Sequence, residues 1–116
     1  MPTKNYLGNP LLKAAYVNLE YDEKTLKEYV RCSKDPVHFA KKYVKIVHVD
    51  RGLVPFDLYD YQEEMVNTFH DNRFVICKMP RQTGKSTTIV SYLLHYALFN
   101  EQSNIAILAN KGSTAR

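Results

Sequence analysis

The consecutive residues Thr83-Gly84-Lys85-Ser86-Thr87 combine a glycine, a lysine and three hydroxyls. Residue types in that order can bind a polyphosphate. Backbone N–H groups of a loop and of a following helix N-terminus point at the anion, and the helix dipole favours negative charge. In such a loop Lys85 reaches the β- and γ-phosphates, Ser86 offers a hydroxyl ligand to Mg²⁺, and Gly84 lets the backbone approach the phosphate without a Cβ. The spacing G-x-x-x-x-G-K-[ST] would place a glycine where Met79 stands, with the rigid Pro80 beside it. The other reading of the same residues is a strand-to-helix turn with a solvated Lys85.

The flanking segments decide between these readings. Phe74-Val75-Ile76-Cys77 is an apolar run with strand character, and the residues after Ser86 carry a helical pattern ending near Phe99-Asn100, with Ile89, Tyr92, Leu93, Tyr96 and Ala97 as its expected buried stripe. Asn104-Ile105-Ala106-Ile107-Leu108-Ala109 follows, apolar almost throughout, as a parallel strand covered on both faces would be. Strand, helix and strand make one right-handed βαβ unit.

Upstream, residues 1–21 mix Pro2, Gly8, Asn9 and Pro10 with scattered apolar side chains and read as a surface arm. Apolar positions 26, 29 and 30, with acids before and bases after, predict a short helix over 22–30. Asp35-Pro36 reads as an N-cap with proline at the first helical position, opening a second helix whose face is Val37, Phe39, Ala40, Tyr43 and Val44. Residues 46–49 and 53–56 form a hairpin around Asp50-Arg51-Gly52. That turn assigns Asp50 to a loop rather than to a Mg²⁺-holding strand end, and His48 to a half-exposed strand position rather than to a metal or a base. A third helix, capped by Asp57, should start near Leu58 and pack Leu58, Tyr61, Met65 and Phe69 against the sheet.

With 116 residues, 45% of them hydrophobic, the chain can bury one modest core. Its net charge of +4 is compatible with a polyanionic partner and does not by itself argue for nucleic acid. The two cysteines, Cys32 and Cys77, show no C-x-x-C or histidine spacing for zinc and read as free thiols of a reducing compartment. No run approaches the roughly 20 apolar residues of a membrane span, and the first residues do not lead into a signal-peptide core.

The set Leu58-Tyr59-Asp60-Tyr61-Gln62, Asn72-Arg73-Phe74-Val75-Ile76-Cys77, Pro80-Arg81-Gln82-Thr83-Gly84-Lys85-Ser86-Thr87 and Ile107-Leu108-Ala109-Asn110-Lys111-Gly112-Ser113 resembles the N-terminal ATPase domain of the large terminase subunit of tailed myoviruses. The resemblance runs from about Tyr6 to the last residue. It implies an α/β fold: part of a P-loop NTPase of the ASCE type, a three-layer sandwich with a parallel sheet, preceded by a small helical N-terminal segment. Residues 1–56 would be the arm, two helices and hairpin, and 57–116 the first part of the ATPase domain.

By the same resemblance, Tyr61 and Gln62 correspond to the adenine-recognition pair, an aromatic that stacks and a carboxamide that pairs with the base edge. On periodicity alone, Tyr61 reads instead as a core aromatic and Gln62 as a surface residue. Arg81 corresponds to the arginine of the family loop, which offsets charge at the γ-phosphate. Gln82, Thr83 and Thr87 would line the loop through backbone N–H groups. Lys111 is a candidate DNA-backbone contact, or a solvated loop lysine. The implied cofactors are ATP and Mg²⁺. The implied partners are viral double-stranded DNA, the portal, the small terminase subunit and further copies in a ring, with no membrane, in the cytoplasm of an infected bacterial host.

Phosphoryl transfer also needs an acid at another strand end and a residue that orients water. After the loop the only acid is Glu101. The sequence therefore reads as the front piece of such a motor, expected to bind nucleotide weakly without turnover. Two alternatives stand beside it: the first lobe of a nucleic-acid helicase, and a nucleotide-binding module that never hydrolyses ATP.

Overall fold

The computed structural model describes residues 4–110. Four helices carry the architecture: α1 (Glu23–Lys34), α2 (Pro36–Tyr43), α3 (Asp60–Asp71) and α4 (Lys85–Phe99). Between α2 and α3 lies one antiparallel hairpin, β1 (Lys45–His48) and β2 (Gly52–Pro55), in the register Lys45↔Pro55 to His48↔Gly52.

Local chemistry accounts for the element starts. The Asp22 carboxylate accepts the Thr25 N–H at 2.9 Å and caps α1. Asp35 does the same for α2, accepting from Val37 and His38 N–H at 3.1 Å each, with Pro36 in the first turn where its missing N–H costs nothing. Gly52, at φ +69, closes the hairpin turn. The start of α3 differs from expectation. Its N-cap is Tyr59, not Asp57, and the Gln62 side chain reaches back so that its Oε1 accepts the Tyr59 N–H at 2.9 Å.

The core is small: Ala40, Phe56, Leu58 and Val66, with Val37, Val44, Ile46 and Tyr92 packed around them. Helix α2 sits at its centre and touches α1, α3, α4 and β2. A Lys41–Glu63 ion pair joins α2 to α3. A second knot of rings lies between α2, α3 and the far half of α4, where His95 meets Phe39, His70, Tyr92 and Phe99. The His95 Nε2–H donates to the Cys32 carbonyl at 2.7 Å, tying α4 to the end of α1.

The expected three-layer parallel sheet is absent among the described residues. Residues 74–77 and 104–109 lie outside any strand, and β1–β2 is the only sheet among the described residues. No ladder partner lies beside either run, so Phe74 (84%), Ile76 (99%) and Leu108 (93%) stand in solvent. A parallel pair requires a crossover that brings both strands to one edge, and its strands are normally buried on both faces. The βαβ unit is therefore not formed. The radius of gyration, 17.1 Å, exceeds the about 13 Å of a compact domain of about 100 residues, as these open runs and the N-terminal arm require.

Two packing expectations change with it. Helix α3 packs its Met65 and Val66 face against the helices, not against a sheet, and Tyr61 faces solvent. On α4 the buried residues are Thr88, Ser91 and His95, whereas Ile89, Tyr96 and Ala97 of the expected stripe are exposed and Tyr92 and Leu93 half-buried. The Thr88 hydroxyl donates to the Gly84 carbonyl at 2.8 Å, so its burial leaves no unpaired hydroxyl. Lys111 lies outside the described residues. Among those that are described, no helix is long and apolar enough to cross a membrane.

Burial holds the His95 imidazole below the ordinary histidine range, an effect that outweighs the Cys32 carbonyl and the Asp35 charge and is reinforced by the neighbouring His70. The folded chain thus resists protonating His95 more than the unfolded chain does. Stability should be unaffected well above pH 6.5 and fall as the pH drops below it. The other histidines contribute a background, so the decisive quantity is the difference between the wild type and His95→Gln, which keeps a donor but cannot titrate. Urea denaturation from pH 8 to pH 5 should show a steeper loss in the wild type; equal slopes would refute the assignment.

Candidate functional site

The loop 80–84 leads into α4 and is shaped by two left-handed residues. Gln82 has φ +60 and Gly84 φ +73. The second suits glycine, while the first stores about 1 kcal/mol or more of backbone strain. The loop closes on the Pro80 carbonyl, which accepts from the Thr83 hydroxyl at 3.0 Å and from the Lys85 ammonium at 3.3 Å.

Helix α4 starts at Lys85 with Gly84 as its N-cap, no side-chain cap and no acid in its first turn. The Thr88 N–H is satisfied by the Gly84 carbonyl. Lys85, Ser86 and Thr87 N–H therefore belong to the orphan donors of the helix start. An uncapped N-terminus with a lysine at its first position favours negative charge through both dipole and charge.

Beside the loop opens a cavity of about 840 Å³, walled on one side by Tyr59, Tyr61 and Gln62 and on the other by Gln82, Thr83, Gly84 and Thr87. Its volume falls in the range of small-molecule sites, about 300–1,000 Å³. The two walls are bonded together, since the Tyr61 hydroxyl donates to the Thr83 carbonyl at 2.6 Å. Tyr59 and Tyr61 stack with centroids 5.8 Å apart and planes within 13°, which presents a flat aromatic surface for a further ring.

Of the residues singled out by sequence, Tyr61, Gln62, Gln82, Thr83, Gly84 and Thr87 line this one cavity. Arg81, Lys85 and Ser86 lie outside its wall; Arg81 and Ser86 are exposed and Lys85 is half-buried. Gln62 is buried, in contrast to the surface position its periodicity suggested. Its Oε1 is committed to the start of α3, and its Nε2 abuts Gly84 so closely that a Cβ there would lie 2.6 Å away. It braces the loop as well as lining the cavity. Lys41, His48, Arg51 and Asp57 complete the far wall. No motif marks them, because they come from a helix, a hairpin and a linker that only the fold brings together.

A second cluster escaped the sequence reading. On α1, Glu28 and Cys32 are one turn apart, and the Asp35-Pro36 corner folds His38 back over them. Glu28 Oε1 receives the Lys42 ammonium at 2.6 Å, the His38 Nε2 at 2.9 Å, the Tyr43 hydroxyl at 3.1 Å and the Cys32 thiol at 3.8 Å. Lys42 first and His38 second hold the Glu28 carboxyl down to about 2. Burial, followed by the Glu28 charge, pushes the Cys32 thiol up. Cys77 is an exposed free thiol.

No protein-family model matches the chain.

The brace between Gln62 and Gly84 gives a measurable coupling. Gly84→Ala should cost about 1 kcal/mol from the left-handed backbone alone, and more because the new methyl must displace a buried, bonded side chain. In a Gln62→Ala background only the backbone cost should remain. A double-mutant cycle by urea denaturation should therefore show that the two changes are less damaging together than their sum; strict additivity would mean that Gln62 does not hold the loop.

Proposed function

We propose that this chain binds ATP with Mg²⁺ at the loop 80–87, and that it serves as the nucleotide-binding part of a DNA-packaging motor of the large-terminase type. The observation that carries the nucleotide reading is the joint wall. The uncapped start of α4 and the stacked Tyr59–Tyr61 pair meet at one cavity, fastened by the bond from the Tyr61 hydroxyl to the Thr83 carbonyl. An anion site and an aromatic surface side by side match the two halves of a nucleotide.

In this reading the triphosphate takes the orphan N–H groups of the first turn of α4, and Lys85 exchanges the Pro80 carbonyl for phosphate oxygens. Ser86 is the Mg²⁺ ligand. Arg81, exposed beside the loop, adds charge at the γ-phosphate. The adenine lies on the Tyr61 ring, while Gln62, buried and bonded to the Tyr59 N–H, braces the loop beside it. Bound Mg²⁺ supplies charge neutralisation of the phosphates. The chain's own residues bind and orient. We expect binding without turnover by this chain.

The packaging role rests on the sequence resemblance in the loop and the Tyr-Gln pair. It extends the proposal to viral double-stranded DNA as the translocated partner, with the portal and small terminase subunit as docking partners, a ring of copies as the working form and the cytoplasm of an infected bacterial host as its place.

The nucleotide proposal is tested by calorimetric titration of the full chain with ATP and Mg²⁺. Lys85→Ala should weaken binding about tenfold or more, since loss of a charge-assisted contact is worth about 1.5–3 kcal/mol. Tyr61→Phe should loosen the loop, and Tyr61→Ala should also cost base stacking. Inorganic tripolyphosphate should compete with ATP in the Tyr61→Ala chain but much less in Lys85→Ala. If ATP fails to bind, or if it binds Lys85→Ala and Tyr61→Ala as it does the wild type, the proposal is wrong.

A further inference from the structure

Four donors converge on one carboxylate oxygen, Glu28 Oε1: the Lys42 ammonium, the His38 ring nitrogen, the Tyr43 hydroxyl and the Cys32 thiol. A carboxylate oxygen has two lone pairs, so four partners oversubscribe it. The three chemically distinct ligand atoms among these groups, a carboxylate oxygen of Glu28, Sγ of Cys32 and a ring nitrogen of His38, all lie within 4.8 Å of one another.

We propose that Glu28, Cys32 and His38 form a binding site for a divalent transition-metal ion of borderline softness, best matched by Zn²⁺. One thiolate, one imidazole and one carboxylate make a mixed set that zinc accepts and that hard Mg²⁺ and Ca²⁺ do not. Tetrahedral bonds of about 2.0–2.3 Å imply ligand separations of about 3.3–3.7 Å. The present spacings, 2.9 Å from nitrogen to oxygen and 3.8 Å from sulfur to oxygen, bracket that range. Small side-chain rotations therefore suffice.

The backbone already fixes the ligands. Glu28 and Cys32 stand on one face of α1 in successive turns, and His38 is held in the first turn of α2 by the Asp35 cap on its own N–H. Cys32 is buried, while Glu28 and His38 keep side-chain exposures of 25% and 17%, enough for an ion to enter. On the outer side a cavity of about 570 Å³, lined by Glu28, Cys32, Lys42, Tyr43, Tyr29 and Phe99, leaves room for a fourth, non-protein ligand. Metal bonds to sulfur and nitrogen would relieve Glu28 of two of its four donors. Lys42 is then the competing cation: it is half-exposed on a flexible stem and can swing away.

The test uses Co²⁺ as a spectroscopic substitute for Zn²⁺, titrated into the full chain in a Cys77→Ser background so that the exposed second thiol cannot contribute. Expected are one Co²⁺ per chain, a thiolate-to-cobalt charge-transfer band, the intense d–d absorption of a tetrahedral ion, and loss of all three on adding Zn²⁺. Cys32→Ser should remove the charge-transfer band, and His38→Gln should weaken Co²⁺ binding by about 100-fold or more. Lys42→Met should instead tighten binding by about tenfold, because a positive charge beside the ion is removed. That gain cannot be confused with loss of fold. Far-ultraviolet circular dichroism checks each variant for helicity. A weak octahedral spectrum without charge transfer, a spectrum unchanged in both Cys32→Ser and His38→Gln, or weaker binding in Lys42→Met would overturn the site.

Discussion

The structure depends on one buried polar contact. The His95 ring, 2% exposed, hydrogen-bonds the Cys32 carbonyl across 63 residues of sequence. A buried imidazole is tolerated only when it is neutral and bonded. Satisfying it fixes the rotation of α4: His95, Ser91 and Thr88 turn inward together, as positions four and three residues apart on one face must. Ile89, Val90, Leu94, Tyr96 and Leu98 of α4 are thereby turned toward solvent. The same rotation places Phe99 against Tyr29 and Phe39 at the far end and sets the loop against α3 at the near end.

Helix α4 therefore positions two chemically different places. Its first turn supplies the orphan donors and Lys85 beside the tyrosine-walled cavity, and its last turn supplies Phe99 to the cavity over Glu28. A helix of 15 residues separates them by roughly 22 Å. Neither site needs the other for its geometry. The loop is braced by Gln62 and Tyr61 from α3, whereas the Glu28 cluster is closed by the capped corner between α1 and α2.

What was legible in the sequence is what is local. Asp35 as a cap, Pro36 in a first turn, Gly52 in a hairpin and the start of α4 at Gly84-Lys85 each follow from interactions within a few residues. The sheet was not legible, because an apolar run becomes a strand only by pairing, and 74–77 and 104–109 find no partner among the described residues. The buried face of α4 was misread for a related reason. Much of that helix is apolar around its circumference, so periodicity cannot choose a side, and the choice fell to His95 and a carbonyl far away in sequence. Glu28, Cys32 and His38 carried a faint signal, an acid and a thiol one turn apart before a capped corner. Their convergence is a tertiary fact.

Loss of the sheet bears unequally on the chemistry. Binding a phosphate requires donors, charge and a dipole, all of which belong to Gly84, Lys85 and the first turn of α4, and none of which comes from residues 74–77. A base surface requires an aromatic face near that turn, and Tyr61 is tied there by its hydroxyl on the Thr83 carbonyl rather than by packing on strands. Hydrolysis would differ, because under the proposed role of Ser86 the acid opposite it would come from another strand end, and the one sheet among the described residues lies between α2 and α3, with His48 and Arg51 lining the cavity. The proposed binding therefore asks nothing of a parallel sheet: the groups it invokes for an anion and a base stand on α3, on the loop 80–84 and on the first turn of α4.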